Sequence, residues 1–290
     1  MIKEIFSNNE YDSPILLDGP MGSELIHLTG NQQINSFLLN HENPELITKV
    51  HQTYLAAGSE ILFTNSFGCL FDENQKLNPK IYRDCLQKSI RHAKAVAKDE
   101  ATVGFSVGPS GLSHHTTLTN KQSFEKKLES LFDLALPEDI DFIVFETQYH
   151  FEEIKTLLEI ARPFCPLPLW LSLTVNESGD PLFHQSHPDW LKEIEDLGVD
   201  VLGFNCGTGP ESIIKATKKF GTQTELPLFV KPSKGLPDKQ NNYQLSDEDF
   251  VRQLKELKPN HLYAIGTCCG GTSHTIAQLK KMIENLINNP

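Results

Sequence analysis

Two adjacent cysteines, Cys268 and Cys269, are the residues of this sequence with the clearest potential for chemistry. A third cysteine, Cys206, lies earlier in the chain, and both positions follow a short apolar run and precede a glycine. This pattern predicts that the cysteines lie where buried strands end and loops begin. Three thiolates brought together from two strand ends would form a site for a soft metal ion, most simply zinc.

The composition predicts a large folded domain in a reducing compartment. The chain has 290 residues, of which 39% are hydrophobic, and its formal net charge is −12. Such a charge disfavours nucleic acid and anionic membranes as partners. The N-terminus lacks the apolar segment of a signal peptide, and no apolar run approaches the roughly 20 residues that span a membrane. We therefore expect a cytoplasmic protein with six reduced cysteines.

Eight apolar runs of strand length alternate with segments of helical periodicity. The runs are apolar throughout, as expected for parallel strands that are buried on both faces. They predict a (β/α)8 TIM barrel, a single domain over residues 1–290. An open doubly wound sheet is the alternative, but no Gly-x-Gly-x-x-Gly motif follows the first strand. The predicted strands are 15–18, 60–64, 102–107, 141–146, 167–175, 200–206, 226–231 and 261–266.

The segment 19–43 is predicted to be a loop, followed by a helix that begins at Pro44. In a barrel of this kind the active site lies at the carboxyl ends of the strands. Polar residues follow nearly every strand at that rim: Asp18, Thr64, Asn65, Gly108, Glu146, Thr174, Asn205, Cys206, Lys231, Cys268 and Cys269. We therefore expect these residues to surround one site.

Three cysteines would leave one coordination position of a zinc ion open, which is typical of a catalytic site. Such a site could bind a substrate thiol as its thiolate, so alkyl transfer to a thiol is the expected chemistry. The carboxylates of Asp18 and Glu146 could bind an ammonium group, although either alone could be a helix cap or a solvated acid. The other cysteines, Cys69, Cys85 and Cys165, are interpreted as buried free thiols.

These residues give the chain a resemblance to the homocysteine S-methyltransferase family. The matching stretches are 16–25, 64–68, 108–109, 145–147, 203–206 and 268–270, and they extend from the first strand to the last. The resemblance implies a zinc ion held by Cys206, Cys268 and Cys269, with the homocysteine sulfur as fourth ligand. It also implies that Asp18 and Glu146 bind the substrate amino group and that the turn at Gly19 meets its carboxylate. Further substrate-binding residues at the matching rim positions are Thr64, Asn65 and Asn205.

Three positions depart from the family pattern. Thr267 replaces a glycine before the cysteine pair, which could alter the loop because threonine tolerates fewer backbone angles. Pro20 replaces a residue with an amide donor, so one hydrogen bond to the substrate carboxylate could be lost. Ser233 stands where methionine synthases have an asparagine that can cap the metal, and its hydroxyl could be a weaker substitute.

The resulting hypothesis is zinc-dependent methyl transfer to L-homocysteine, which forms methionine. Since 290 residues hold none of the folate, cobalamin and activation domains of methionine synthase, the expected donor is S-methylmethionine or S-adenosylmethionine. A homocysteine-activating module that uses methylcobalamin or betaine is an alternative. A second alternative is an aldolase-like barrel in which Lys231 forms a Schiff base. A third is a barrel with a non-catalytic zinc, for which a fourth protein ligand is required; His274 is the nearest histidine.

Overall fold

Eight parallel strands form a single sheet in the order β1-β8-β7-β6-β5-β4-β3-β2. A parallel bridge between Leu17 and Ile61 joins the two end strands, so the sheet closes into a barrel. The computed structural model describes residues 13–111, 121–240, 242–257 and 262–288. The strands are β1 (Ile15–Leu16), β2 (Ile61–Phe63), β3 (Thr102–Val107), β4 (Phe142–Gln148), β5 (Leu169–Leu173), β6 (Val201–Cys206), β7 (Leu228–Pro232) and β8 (Leu262–Ile265). The predicted (β/α)8 barrel is confirmed.

Helices follow the strands and pack on the outside of the barrel. They are α1 (Met21–Thr29), α2 (Leu39–Glu42), α3 (Pro44–Ala57), α4 (Asp72–Gln75), α5 (Pro79–Ala97), α6 (Lys121–Ala135), α7 (Phe151–Phe164), α8 (Trp190–Asp196), α9 (Pro210–Phe220), α10 (Asp247–Leu254) and α11 (Ser273–Asn288). None of the helices in the described ranges is long and apolar enough to cross a membrane.

The prediction of a loop over residues 19–43 is wrong, because this segment contains α1 and α2. Pro20 occupies the position before the first residue of α1, and Gly30 ends the helix in the left-handed conformation with φ of 66°. A proline at the start and a glycine just past the end of a nine-residue segment are recognisable helix signals. The other predicted elements are present with ends shifted by a few residues, and His261 lies outside the described residues.

Aromatic side chains fill the interior of the barrel. Trp170 stacks on Phe142 with ring centroids 4.2 Å apart and contacts Phe229 at 5.1 Å. A side chain at Gly203 would collide with the Phe229 ring, so the glycine makes room for it. Replacing such a buried ring by alanine costs about 3–5 kcal/mol. The barrel therefore has a solid core, and the functional residues must lie at its rim.

Candidate metal centre and active site

The three cysteines that the sequence singled out meet at the carboxyl end of the barrel. Cys206 is the last residue of β6, and Cys268 and Cys269 lie in the loop between β8 and α11. Their Sγ atoms all lie within 4.8 Å of one another, and those of Cys268 and Cys269 are 3.9 Å apart. Sulfur ligands about 2.3 Å from a tetrahedral zinc ion are roughly 3.8 Å apart. The three thiols therefore fit a zinc ion with little movement.

Backbone hydrogen bonds from β7 hold the cysteine loops in place. The amide of Cys268 donates to the carbonyl of Pro232 at 2.8 Å, and the amide of Lys234 donates to the carbonyl of Cys269 at 2.9 Å. Cys206 itself has a φ of 60°, a left-handed conformation that non-glycine residues adopt at a cost of about 1–3 kcal/mol. Strand β7 thus lies between the two ligand-bearing strands and fixes both.

The pKa of each thiol in this group is raised by one of its two neighbouring thiols together with burial. The hydrogen-bonded Cys268 thiol and burial raise the pKa of Cys206 to about 12. The contact with Cys206, followed by burial, raises the pKa of Cys269 to about 11. A cation would remove this penalty, so we expect metal binding to release protons from the thiols.

A fourth protein ligand is absent from the metal-binding group that the described residues form. His274 is 62% exposed, and its Nδ1 pairs with Asp247 Oδ2 at 2.7 Å. The Ser233 hydroxyl donates to the carbonyls of Cys206 and Gly207, at 3.1 and 2.9 Å, instead of pointing at the thiols. Neither residue therefore occupies the place of a fourth ligand.

A cavity of about 230 Å³ opens beside the three thiols. It is smaller than the roughly 300–1,000 Å³ of a site for a drug-sized ligand, and its size suits an amino acid. Its walls contain most of the residues predicted to bind substrate: Asp18, Gly19, Thr64, Asn65 and Glu146, together with all three cysteines. These predicted residues therefore come together in one site from five different strand ends.

Lys231, in β7, forms an ion pair in this cavity. This pair was not predicted from the sequence. Its Nζ lies 2.7 Å from Asp18 Oδ1 and 3.8 Å from Glu146 Oε1, and 4.0 Å from the centre of the Phe63 ring. Burial alone would lower the pKa of Lys231, but the two carboxylates outweigh it and the pKa is raised. The lysine therefore stays protonated.

Two carboxylates face this single ammonium group. Asp18 is already engaged, since Oδ1 accepts from Lys231 and Oδ2 accepts from the amide of Phe63 at 2.8 Å. Glu146 Oε2 accepts from the Ser106 hydroxyl at 2.6 Å, whereas Oε1 lies at the longer distance from Lys231. One protein ammonium thus faces two carboxyl groups, and a ligand ammonium could pair with the second of them.

The N-terminus of α1 borders the same cavity with Met21, Gly22 and Ser23. The first amides of a helix have no partner within the helix and point towards anions. Gly19 sets the approach to this helix, because a Cβ there would lie 2.5 Å from the Tyr54 ring. The Tyr54 hydroxyl donates to the carbonyl of Pro20 at 3.1 Å. The start of α1, a helix that was not predicted from the sequence, could thus bind a carboxylate.

A family model for homocysteine S-methyltransferases matches residues 15–283. The chain belongs to the homocysteine S-methyltransferase family. It is 26% identical to the methionine synthase of Mycobacterium tuberculosis over 93% of its own length and 24% of that protein. The methionine synthase of Mycobacterium leprae is also 26% identical, over 90% of this chain and 24% of the relative. The chain thus spans about a quarter of the length of these curated relatives.

The fold is similar to that of the homocysteine methyltransferase MmuM from Escherichia coli. The metallated form of MmuM gives a TM-score of 0.75 with 24% identity, covering 96% of this chain and 98% of MmuM. The apo form gives a TM-score of 0.71 with 26% identity, covering 93% of this chain and 96% of MmuM. The resemblance noted from the sequence is therefore confirmed at the level of family and fold.

Thr267, which departs from the family pattern, is accommodated without backbone strain. Thr267 is absent from the described non-glycine residues with positive φ, which are Lys98, Asp139, Thr147 and Cys206. Its side chain is fully buried and fills the space beside Gly271, where a Cβ would collide with it. Threonine therefore fits at position 267 because glycine at position 271 leaves room for its side chain.

Asn205, predicted to bind substrate, does not line the cavity and has no exposed surface. Its amide donates to Thr147 Oγ1 at 2.7 Å, and its Oδ1 accepts from the backbone amide of Thr147 at 3.1 Å. Thr147 follows Glu146 and has a φ of 58°, so it needs such support. The geometry thus places Asn205 behind the cavity wall, where it fixes the neighbour of Glu146.

Proposed function

We propose that this protein transfers a methyl group to the thiol of L-homocysteine, forming methionine, with a zinc ion held by Cys206, Cys268 and Cys269. The observation that carries the proposal is the convergence of three thiols on one wall of an amino-acid-sized cavity. Membership of the homocysteine S-methyltransferase family supports the choice of substrate.

A zinc ion bound to three thiolates would lower the pKa of a substrate thiol that completes its coordination while keeping that sulfur electron-rich. The chain contributes a position for that thiol, since the three cysteines line the cavity and no fourth protein ligand competes within the described residues. This arrangement favours a catalytic over a purely structural role for the metal.

The substrate amino and carboxylate groups would bind at opposite walls of the cavity. The carboxylate would accept hydrogen bonds from the amides that begin α1, at Met21, Gly22 and Ser23. The ammonium would bind Glu146, whose Oε1 is the less engaged carboxylate oxygen, with Asp18 close by. Because Pro20 precedes the helix, it removes only a donor that lies outside these three amides.

In the reaction, the homocysteine thiol loses its proton to water, and the thiolate attacks the methyl carbon of the donor. One S–C bond forms and the bond between the methyl group and the donor atom breaks, with its electron pair remaining on the donor atom. A sulfonium donor such as S-methylmethionine or S-adenosylmethionine leaves as a neutral thioether. Such in-line displacement requires the donor on the far side of the methyl group from the thiolate.

The test combines a donor panel with elemental analysis. Zinc-loaded and metal-stripped protein would be incubated with homocysteine and S-methylmethionine, S-adenosylmethionine, betaine or methylcobalamin, and methionine would be measured. We expect about one zinc per chain and methionine formation that disappears on stripping and returns with zinc. Full activity in metal-free protein would refute the role of the metal.

Methylcobalamin is the second candidate donor, because the relatives in Mycobacterium are named methionine synthase and this chain matches about a quarter of each. The Schiff-base alternative is disfavoured, since a lysine nucleophile must be neutral and the carboxylates of Asp18 and Glu146 raise the pKa of Lys231. The non-catalytic zinc site is disfavoured by the missing fourth ligand described above.

A further inference from the structure

A second cavity, of about 530 Å³, borders the metal centre on the side of α1. It lies between α1, the segment before α10 and the loop that follows the cysteine pair. Ser23 lines both this cavity and the substrate cavity, and Gly270, which directly follows Cys269, lines the second one. The two cavities are therefore neighbours that share one wall, and together they could hold two reactants.

The Tyr243 side chain stands between the metal centre and the second cavity. Burial and the nearby Cys269 thiol raise the pKa of its hydroxyl, and its ring lies so close to Gly270 that a Cβ there would collide with it. The residue is half-buried and lines the cavity. An aromatic face next to a cavity can bind a cation through its ring electrons.

The Glu24 carboxylate in the wall of this cavity has no hydrogen bond or ion pair within the described residues. The residue is only 9% exposed, and burial raises the pKa of its carboxyl group. His27, which is exposed on the same helix, is the charged group that partly offsets this effect. The Ser23 Oγ, in the same cavity wall, is buried without a hydrogen-bond partner among the described residues. The Glu24 oxygens are not among these buried atoms, so they open onto the cavity, where a cationic ligand could pair with them.

We propose that the second cavity binds the methyl donor and selects a positively charged one, a sulfonium or a quaternary ammonium, through the Glu24 carboxylate and the Tyr243 ring. The inference rests on the proposed methyl transfer to homocysteine. Because the two cavities meet at Ser23, a donor in the second cavity could reach the substrate sulfur in the first along that shared wall. When the methyl group is transferred, the electron pair of the broken bond stays on the donor atom, which loses its positive charge. The donor atom of the product is then neutral, is no longer attracted to Glu24, and the product would dissociate.

The experiment measures initial rates of methionine formation by zinc-loaded protein at saturating homocysteine, with S-methylmethionine as the varied donor. Loss of a hydrogen-bonded or paired charge costs about tenfold or more in affinity, so we expect Glu24→Gln to raise the KM for S-methylmethionine at least tenfold. Tyr243→Leu should raise it severalfold, whereas Tyr243→Phe, which keeps the ring, should not. The KM for homocysteine and the zinc content should stay unchanged in Glu24→Gln.

Glu211→Gln provides a matched control, because Glu211 is an exposed acid at the same rim, paired with Lys215 at 2.7 Å. It removes the same charge from the rim but should leave the donor KM within twofold of the wild type. The thermal unfolding temperature of Glu24→Gln should stay close to that of the wild type, since Glu24 has no side-chain hydrogen bond or ion pair within the described residues to lose. A destabilised Glu24→Gln variant with an unchanged donor KM would mean that Glu24 has a structural role only.

Failure of this inference and failure of the proposed function give different results. If wild-type protein makes methionine but Glu24→Gln and Tyr243→Leu leave the donor KM unchanged, the inference is wrong and the methyl transfer stands. Activity with methylcobalamin alone would have the same meaning, because its methyl group is carried on cobalt instead of a cationic sulfur or nitrogen. If no donor yields methionine with zinc-loaded protein, the proposed function itself is wrong. S-Methylmethionine and betaine would separate a sulfonium from a quaternary ammonium preference.

Discussion

Lys231 Nζ lies 2.7 Å from Asp18 Oδ1, and both side chains are at least 96% buried. This ion pair joins β7 to the residue that follows β1, across the neighbouring strand β8. It places one ammonium in a cavity with two carboxylates, and it leaves charge for one more cation. The pair is therefore expected to stabilise the fold and, under the proposed function, to help position the ammonium group of the substrate.

Replacing Lys231 by methionine should be strongly destabilising, because it leaves the Asp18 and Glu146 carboxylates buried without their cation. Breaking one partner of a buried pair costs about 3–5 kcal/mol in the free energy of unfolding. Urea denaturation would measure this loss. Lys218→Met is the control, since the Lys218–Glu256 pair is exposed and should be worth less than about 1 kcal/mol. Equal effects in the two variants would contradict the buried role of Lys231.

Cys206→Ala should abolish both zinc binding and methyl transfer, because it leaves only two thiols at the metal centre. Zinc content by elemental analysis and methionine formation would be measured on the same preparation. The control is Cys165→Ala. Cys165 is a buried free cysteine directly after the last residue of α7, away from the metal centre. It should retain about one zinc per chain. One tightly bound zinc per chain in Cys206→Ala would exclude this cysteine as a ligand.

The fold should become less stable as the pH is lowered, because of His51. Its ring is fully buried, neither nitrogen has a hydrogen-bond partner among the described residues, and burial lowers its pKa to about 3. Between about pH 6.5 and 3 the unfolded chain binds a proton that the folded chain excludes, so stability is present above that range and lost as the pH falls through it.

For His51 the expected loss is about 2 kcal/mol at pH 5 relative to pH 8. His51→Leu should remove this contribution, and urea denaturation at the two pH values would measure it. Because the substitution also alters the absolute stability, the quantity to compare is the change in the free energy of unfolding between the two pH values. An identical pH dependence in both proteins would contradict the assignment.

Gly271→Ala should weaken zinc binding, because the added methyl group would collide with the Thr267 side chain next to the cysteine pair. Overpacking of this kind costs about 1–3 kcal/mol. The second change Thr267→Gly should restore the affinity, which competition with a chelator would measure. Thr267→Gly alone serves as the control, with zinc bound normally. No rescue in the double variant would mean that the two side chains do not compete for one space.

The convergence of the three cysteines could be predicted from the sequence. Cys206 and the Cys268–Cys269 pair are each preceded by an apolar run and followed by glycine, so the ends of the buried strands are visible without a structure. Parallel strands of a barrel bring all such ends to one rim. Their convergence within 4.8 Å is the consequence. The segment 19–43 was wrongly predicted to be a loop, although Pro20 and Gly30 flank α1 as helix-end signals.

The eight strand–helix units, the barrel and the residues at its rim could be predicted from the sequence, because local apolar patterns indicate which segments are buried and where strands end. The contacts between their side chains are visible only in the three-dimensional structure. In it Lys231 pairs with Asp18, Asn205 faces Thr147, and Glu24 and Tyr243 line one cavity. These contacts join residues far apart in sequence. They depend on strand order, stagger and side-chain direction, which no local pattern specifies.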